Sequence, residues 1–295
     1  MVIVRLRGGL GNQLFQFAAA YSLARHNNTE LKSDLYTYTK HPLRKYELHH
    51  FNIPLPEASR EEVHRFTGSN AVQRYLNKKS NYFYCPQVFA QPHYHYYDDF
   101  FSLPVPVYLS GYWQSERYFV SVANDVRKMI TGSVKLDAKN EELVSTVRAC
   151  DSVSVHIRRT DYNPGSFFQP MPMDYYRKAL KSIDEKISNP RYFIFSDDIA
   201  WSRSQLSDLK DATFVDHNKG DDSFKDLLVM SACRNQVIAN STFSWWAAWL
   251  NDNRNKTVIA PSTWFHNTWV SKKEPVYPVR FYNTKDLVPS GWTRL

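Results

Sequence analysis

The sequence predicts an α/β protein built on parallel β-sheet, and three observations carry that expectation. Strand-like apolar runs alternate with helix-like runs from residue 153 to residue 260. The chain begins with a strand, a glycine turn and an apolar helix. Each main strand of the second half runs straight into polar residues, as strands do when their carboxyl ends form a ligand-binding edge.

Val2-Ile3-Val4-Arg5-Leu6 reads as a short buried strand, followed by the turn Gly8-Gly9-Leu10-Gly11-Asn12 and an apolar helix from Gln13 to Ala24. Residues 30 to 110, rich in Tyr, His and Pro, show no clean period apart from a helix over Glu57 to Leu76. Beyond them the elements are legible. Strands are expected at Val153–Ile157, Tyr192–Phe195, Thr213–Val215, Gln236–Ala239 and Thr257–Ala260. Helices are expected at Met173–Ile187, Phe224–Cys233 and Thr242–Leu250, the last opened by small polar residues suited to capping. This change of texture places a boundary between an N-terminal domain, 1–145, and a second domain, 146–295, whose C-terminal segment is free to pack back on the first.

A chain of 295 residues is long enough for two domains of about 150 residues each. The formal net charge of +8 favours anionic partners of any kind, but no run of five basic residues occurs and the Lys and Arg are scattered and interrupted by acids, which favours a solvated basic surface over a nucleic-acid face. The N-terminus lacks the pattern of a signal peptide, and no stretch reaches the roughly 18 consecutive apolar residues of a membrane span. Three widely spaced cysteines, Cys85, Cys150 and Cys233, match neither a disulfide framework nor a zinc site. The expected location is cytoplasmic, with room for peripheral contact at the inner membrane face with lipid-linked glycans.

The chemistry concentrates behind the strands. After Val153–Ile157 come Arg158, Arg159 and Asp161; after Tyr192–Phe195 come Ser196, Asp197 and Asp198; after Gln236–Ala239 come Asn240, Ser241 and Thr242. Guanidinium groups stay charged and match phosphate oxygens, so Arg158 and Arg159 suit a diphosphate leaving group without a metal; a structural ion pair with Asp161 is the other reading. His156, between two apolar residues, is read equally as a ligand or as a core histidine. Asn240-Ser241-Thr242-Phe243-Ser244 joins a strand to a helix, a natural anion site that ordinary capping also explains. Trp245, Trp246 and Trp249 read as core. Asp197-Asp198 invites comparison with metal-binding acidic pairs, but the arginines already supply the positive charge. Gly9-Leu10-Gly11-Asn12-Gln13-Leu14 departs from a dinucleotide fingerprint because Leu14 stands where its third glycine belongs, which argues against an oxidoreductase.

Taken together, Arg7-Gly8-Gly9-Leu10-Gly11-Asn12-Gln13-Leu14-Phe15-Gln16, His156-Ile157-Arg158-Arg159-Thr160-Asp161-Tyr162, Phe195-Ser196-Asp197-Asp198 and Asn240-Ser241-Thr242-Phe243-Ser244-Trp245-Trp246 resemble the bacterial α-1,2-fucosyltransferases of glycosyltransferase family 11. Gly111-Tyr112-Trp113-Gln114-Ser115-Glu116-Arg117-Tyr118-Phe119 is similar to that family's pattern too. The resemblance covers essentially the whole chain. It implies a GT-B architecture, two Rossmann-like domains facing across a cleft, and inverting, metal-independent transfer of fucose from GDP-fucose to the 2-hydroxyl of a terminal β-galactoside, with no cofactor. It implies that Arg158 holds the β-phosphate and assists departure of GDP. It implies that His156 touches the nucleotide and that Thr242 and Phe243 bind phosphate; Arg159, Asp161, Ser196, Asp197 and Ser241 are read as further substrate-binding residues of the same edge. Asp226 falls where a guanine-binding acid is placed in the wider superfamily, and Asn12 where the first domain meets the donor. The alternatives are a transferase of this fold with another GDP-sugar, linkage or acceptor and, from a different class, a non-catalytic basic binding protein.

Overall fold

The computed structural model describes residues 1–40, 44–79, 85–132, 134–160, 169–265 and 283–295. Asp161 lies outside the described residues. The chain divides into two compact units, Met1–Ser133 with Lys273–Pro289, and Val134–Lys272 with Ser290–Leu295. Each carries its own all-parallel sheet, so the predicted α/β class holds for both, in two Rossmann-like units.

In the first unit β1 (Val2–Arg5) leads through Gly8 into α1 (Leu10–His26), and β2 (Leu31–Asp34), α2 (Tyr36–Lys40), α3 (Arg60–Thr67), α4 (Ala71–Lys79), β3 (Val88–Ala90), β4 (Val107–Ser110) and α5 (Ala123–Thr131) follow. The strand order is β2-β1-β4-β3. Gly8 sits at φ +80°, and a Cβ there would lie 2.5 Å from Asn12 Nδ2, so both the backbone and the approach of Asn12 require glycine. Helix α1 is buried on almost every side, and its two buried glutamines are satisfied by backbone. Gln13 Nε2 donates to Gly8 O and Lys45 O, and Gln16 exchanges two bonds with the backbone of Arg7.

The single helix expected over Glu57–Leu76 is two. Helix α3 opens on a Ser59/Glu62 capping box and stops at Gly68, whose φ of +120° is closed to other residues; α4 restarts at Ala71. The strands β2, β3 and β4 were not legible, because β2 reads Leu-Lys-Ser-Asp and β3 has only three residues. They are held by their neighbours: β1 pairs with both β2 and β4, and β4 with β3.

The second unit contains α6 (Ala138–Arg148), β5 (Ser152–Ile157), α7 (Met173–Asp184), β6 (Arg191–Ser196), α8 (Ile199–Gln205), β7 (Ala212–Val215), α9 (Phe224–Ala232), β8 (Asn235–Val237), α10 (Thr242–Leu250), β9 (Val258–Ala260) and β10 (Thr293–Arg294). Every expected strand and helix of this half is present within a few residues, and α6 and α8 are additional. The boundary expected at 145/146 falls inside α6, which packs with α9; the compact units divide at 133/134. Strand order is β10-β9-β8-β5-β6-β7. From β5 the chain winds outward through β6 and β7, then returns to the other side of β5 as β8 and β9. The sheet therefore reverses direction between β5 and β8, and at such a switch point the two strand ends diverge and leave a crevice. The core beneath joins Val153, Val155 and Ile157 to Tyr176, Leu180 and Ile183 of α7, while Trp245, Trp246 and Trp249 are buried as read from sequence. Among the described residues no helix is long and apolar enough to cross a membrane.

Candidate active site

Parallel pairing places Ile157 beside Ser196, so the residues after β5 and after β6 leave the sheet together. There Asp197 organises the turn. Its Oδ1 accepts from the backbone N–H of Arg159 at 2.9 Å; its Oδ2 accepts from the Thr160 N–H at 3.0 Å and hydroxyl at 2.7 Å, and lies 3.2 Å from Arg158 Nε. Two charge-assisted backbone bonds, a hydroxyl and an ion pair on one carboxylate hold the loop and the angle of the Arg158 guanidinium. The Arg158 side chain is 26% exposed and that of Asp197 15%, so the pair sits at a rim where it is shielded yet reachable.

The neighbouring residues repeat the arrangement one step outward. Arg159 Nε is 3.5 Å from Asp198 Oδ2, and its guanidinium lies over the Trp201 ring at 3.5 Å from the centroid. Asp198 also caps α8 by accepting from Trp201 N–H at 3.2 Å, and its own N–H donates to Ser196 Oγ at 3.0 Å. Trp201, which sequence reading missed, is the platform that positions Arg159. Among the described residues, Arg158 pairs with Asp197 and Arg159 with Asp198. With its two oxygens already engaged by the turn, Asp197 is an orienting group for Arg158.

On the other side of the switch point, β8 runs through Asn240 to α10. Ser241 caps the helix by accepting from Phe243 N–H at 3.3 Å, and Ser241, Thr242 and Phe243 are all partly exposed. The ring of buried His156, on β5, packs on that of Phe243 with centroids 5.7 Å apart, so the end of β5 and the start of α10 meet. Asn240 anchors this turn from inside, donating to Gln169 O and Trp264 O, and Tyr175 of α7 donates to Ile238 O at 2.6 Å and Ile259 O at 3.2 Å. The structure thus brings His156, Arg158, Ser241, Thr242 and Phe243 to one edge, with the partial positive end of a helix beside a held arginine.

Asp226 lies in the first turn of α9, within a separate polar chain. Its Oδ1 accepts from Asn218 Nδ2 at 2.7 Å; the other hydrogen of that amide goes to Asn140 Oδ1 at 2.8 Å, and Asn140 Nδ2 donates back to Asn218 Oδ1 at 2.9 Å. His217 Nε2 lies 3.1 Å from Asn140 Oδ1 as well. Shielding from solvent pushes the Asp226 carboxyl up to about 7, against the opposing pull of the Asn218 bond. His217 and Asn218 follow β7, so the rule that singled out the other strand ends was sufficient to find them. Asn12 lies on the first unit, at the β1/β4 switch point, where its Oδ1 accepts from Gln114 Nε2 at 2.8 Å and Gln114 Oε1 accepts from the Tyr94 hydroxyl. Tyr94, Tyr108, Trp113 and Tyr118 are buried and fill the core of the first unit. Among the described residues no three His, Cys, Asp or Glu side chains gather as a metal set.

A parallel α/β sheet whose edge carries a carboxylate-held arginine and, across the switch point, a helix N-terminus has the architecture of the α/β proteins whose strand edges suit an anionic ligand. The family model for glycosyl transferase family 11 matches residues 1–282, and the chain belongs to that family. It is similar to an alpha-1,2-colitosyltransferase of Escherichia coli, 33% identical over 308 residues, with 100% of this chain and 99% of the relative covered. It is also similar to the O-antigen biosynthesis glycosyltransferase WbnK of Escherichia coli, at 31% identity covering 90% of this chain and 96% of the relative. The galactoside 2-alpha-L-fucosyltransferase Sec1 of Mus musculus is 25% identical, covering 94% of this chain and 72% of the relative. The protein is therefore a glycosyltransferase, which sets aside the reading as a non-catalytic basic binding protein.

The bonds on Asp197 and Asp198 make a ranked prediction. Asp197→Ala removes two backbone bonds, a hydroxyl bond and the Arg158 ion pair at an exposed turn where water replaces them in part, so denaturant unfolding is expected to show a loss of about 1–2 kcal/mol. Asp198→Ala removes one helix cap and a partly exposed ion pair, and is expected to cost roughly 1 kcal/mol or less. The reverse order of midpoints would mean that Asp197 is not the organiser of this turn.

Proposed function

We propose that the protein transfers fucose from GDP-fucose to the 2-hydroxyl of a terminal β-galactoside, with inversion, forming an α-1,2 linkage without a metal or other cofactor. The observation that carries this reading is the Arg158–Asp197 pair across the ends of β5 and β6, with the N-terminus of α10 following β8 on the other side of β5. A leaving nucleoside diphosphate develops negative charge on its β-phosphate. A guanidinium fixed in orientation before the reaction stabilises that charge at no cost in reorganisation. The α10 N-terminus adds its partial charge, with the Ser241 and Thr242 hydroxyls as donors, and His156 and Phe243 form a wall for the nucleotide. Arg159 reinforces the positive edge. As the bond from the anomeric carbon to the phosphate oxygen lengthens, the sugar gains oxocarbenium character and the acceptor hydroxyl attacks from the opposite face. Guanine presents two N–H donors side by side, the complement of an ionised carboxylate, which suits Asp226 as its reader. Asn12 is a substrate contact on the first unit.

A second reading follows from the relative named a colitosyltransferase, the most similar of the three reported. Colitose lacks the 3-hydroxyl of fucose, so the two donors differ by one polar group. A site that hydrogen-bonds that hydroxyl rejects the deoxy donor by about 10⁴-fold or more, whereas an apolar pocket discriminates weakly. Incubation with GDP-fucose or GDP-colitose and a lactose-type acceptor, with the product linkage read by NMR, tests the proposal. Turnover of GDP-colitose alone, or a linkage other than α-1,2, would overturn it.

Three outcomes are expected. Arg158→Ala lowers kcat by at least about 10²- to 10³-fold with the unfolding midpoint nearly unchanged, since the lost interaction belongs to the transition state. A chelator leaves the rate unchanged; loss restored by manganese would instead make Asp197 and Asp198 metal ligands. The third concerns Asp226, whose carboxyl in the free protein titrates at about 7. Guanine binding needs the ionised form, so GDP affinity should fall about tenfold between pH 8 and pH 6, with proton release on binding near pH 7. Asp226→Asn should flatten that dependence, and calorimetry in buffers of different ionisation enthalpy reads both effects. The stability sign runs the other way. The folded protein keeps this proton to about pH 7, while the unfolded chain loses it near the ordinary carboxylate value of 3.8. The contribution of Asp226 to stability is thus lost as pH rises across that window.

A further inference from the structure

The first unit has a switch point of its own, between β1 and β4, and a chain of side-chain hydrogen bonds leads to it from the interior. The Tyr94 hydroxyl donates to Gln114 Oε1, and Gln114 Nε2 donates to Asn12 Oδ1 at 2.8 Å. Tyr94 and Gln114 are each 4% exposed, whereas Asn12 is partly exposed. The bonds run in one direction. Because Gln114 accepts from Tyr94 with its oxygen, only its N–H groups are left for Asn12, which must meet them with its own oxygen. The Asn12 Nδ2 is thereby turned over the β1–α1 turn, beside Gly8, and it makes no hydrogen bond among the described residues.

The loop after β4 is built to place Gln114. Gln91, 1% exposed, accepts with Oε1 from the N–H groups of Tyr112 at 2.7 Å and Trp113 at 3.2 Å. Trp113 is fully buried at φ +55°, a backbone conformation that bulky residues rarely adopt, and a Cβ on Gly111 would lie 2.6 Å from both Gln91 Cβ and Trp113 Cε2. A strained backbone persists only where its surroundings impose it, and such positions cluster at functional sites. What the strained turn and the buried bonds hold here is an amide at the strand edge, which adds nothing to the core. Its orientation matters to a ligand. With its oxygen taken, the amide offers N–H donors alone, so the group it suits is an oxygen acceptor: a phosphate or sugar oxygen of the nucleotide donor, or an oxygen of the glycan.

We propose that Gln114 and Tyr94 are positioning residues that fix the Asn12 amide with its N–H groups toward a substrate oxygen; the inference rests on Asn12 being a substrate contact. Steady-state rates of Asn12→Ala, Gln114→Met, Tyr94→Phe and the double variants test it, with GDP-fucose or GDP-colitose, whichever is turned over, and a lactose-type acceptor. Asn12→Ala is expected to lower kcat/KM by about tenfold, and Gln114→Met, close to Gln in length and volume, by about fivefold. Tyr94→Phe removes only the hydroxyl and leaves Gln114 able to turn either way, so its loss is smaller. In the Asn12→Ala background both losses should vanish, because the group they act through is gone. A loss carried by KM for the nucleotide supports the proposal with a donor oxygen as the partner; one carried by KM for the galactoside supports it with an acceptor oxygen. Losses that multiply in the double variants would mean that Gln114 acts through packing and would overturn it. So would an unchanged Gln114→Met beside an impaired Asn12→Ala, whereas an unchanged Asn12→Ala would overturn the reading of Asn12 as a substrate contact as well. Should Gln114→Met lower the unfolding midpoint sharply, Tyr94→Phe makes the same comparison in a fold that keeps its aromatic ring.

Discussion

Much of the second unit turns on one carboxylate. Asp197, at the end of β6, accepts two backbone N–H groups and a hydroxyl from the loop after β5 and pairs with Arg158 on the same side. Two neighbouring parallel strands are thereby joined beyond their last ladder bonds, at the point where an open sheet begins to splay. An arginine without this support would sample many rotamers and lose entropy each time it met a phosphate; one already oriented spends its interaction on the charge that develops during reaction.

The rest of the edge follows the same logic of positioning by buried polar bonds. Tyr175 pins the Ile238 and Ile259 carbonyls and Asn240 ties the turn into α10 to Gln169 O and Trp264 O, and His156 packs on Phe243 across the β5/β8 gap. After β7, on the same carboxyl edge of the sheet, the doubled amide pair of Asn140 and Asn218 joins α6 to the loop and leaves Asn218 one hydrogen for Asp226. That carboxyl is shielded and not ion-paired, and it titrates near neutrality. Its protonation state and its capacity to read a base with two donors are linked through a single proton.

The two units differ in how much their sequences disclose. In the second, β5 and β6 are runs of six residues flanked by polar turns, and helices such as α7 bury Tyr176, Leu180 and Ile183 at helical spacing. Local pattern and tertiary role agree there, and the strands were readable within a residue or two. In the first, β2 carries Lys32 and Ser33 and β3 is three residues long, so only pairing with β1 and β4 makes them strands. The helix over Glu57–Leu76 looked continuous because a lone glycine is tolerated within a helical pattern; its φ, a property of the folded backbone, decides that it is a break.

By itself the sequence determined the parallel α/β class, the polar residues behind each strand and the family, because strand ends and glycine turns are local features with short signatures. Only the tertiary structure decided that Arg158 answers to Asp197, that Arg159 rests on Trp201, that Asn218 reaches Asp226, and that α4 shows its apolar side to solvent. Each of these joins residues that are distant in sequence or depends on which side of a helix meets the protein. Strand register and helix docking set those relations, and neither is encoded within a single segment.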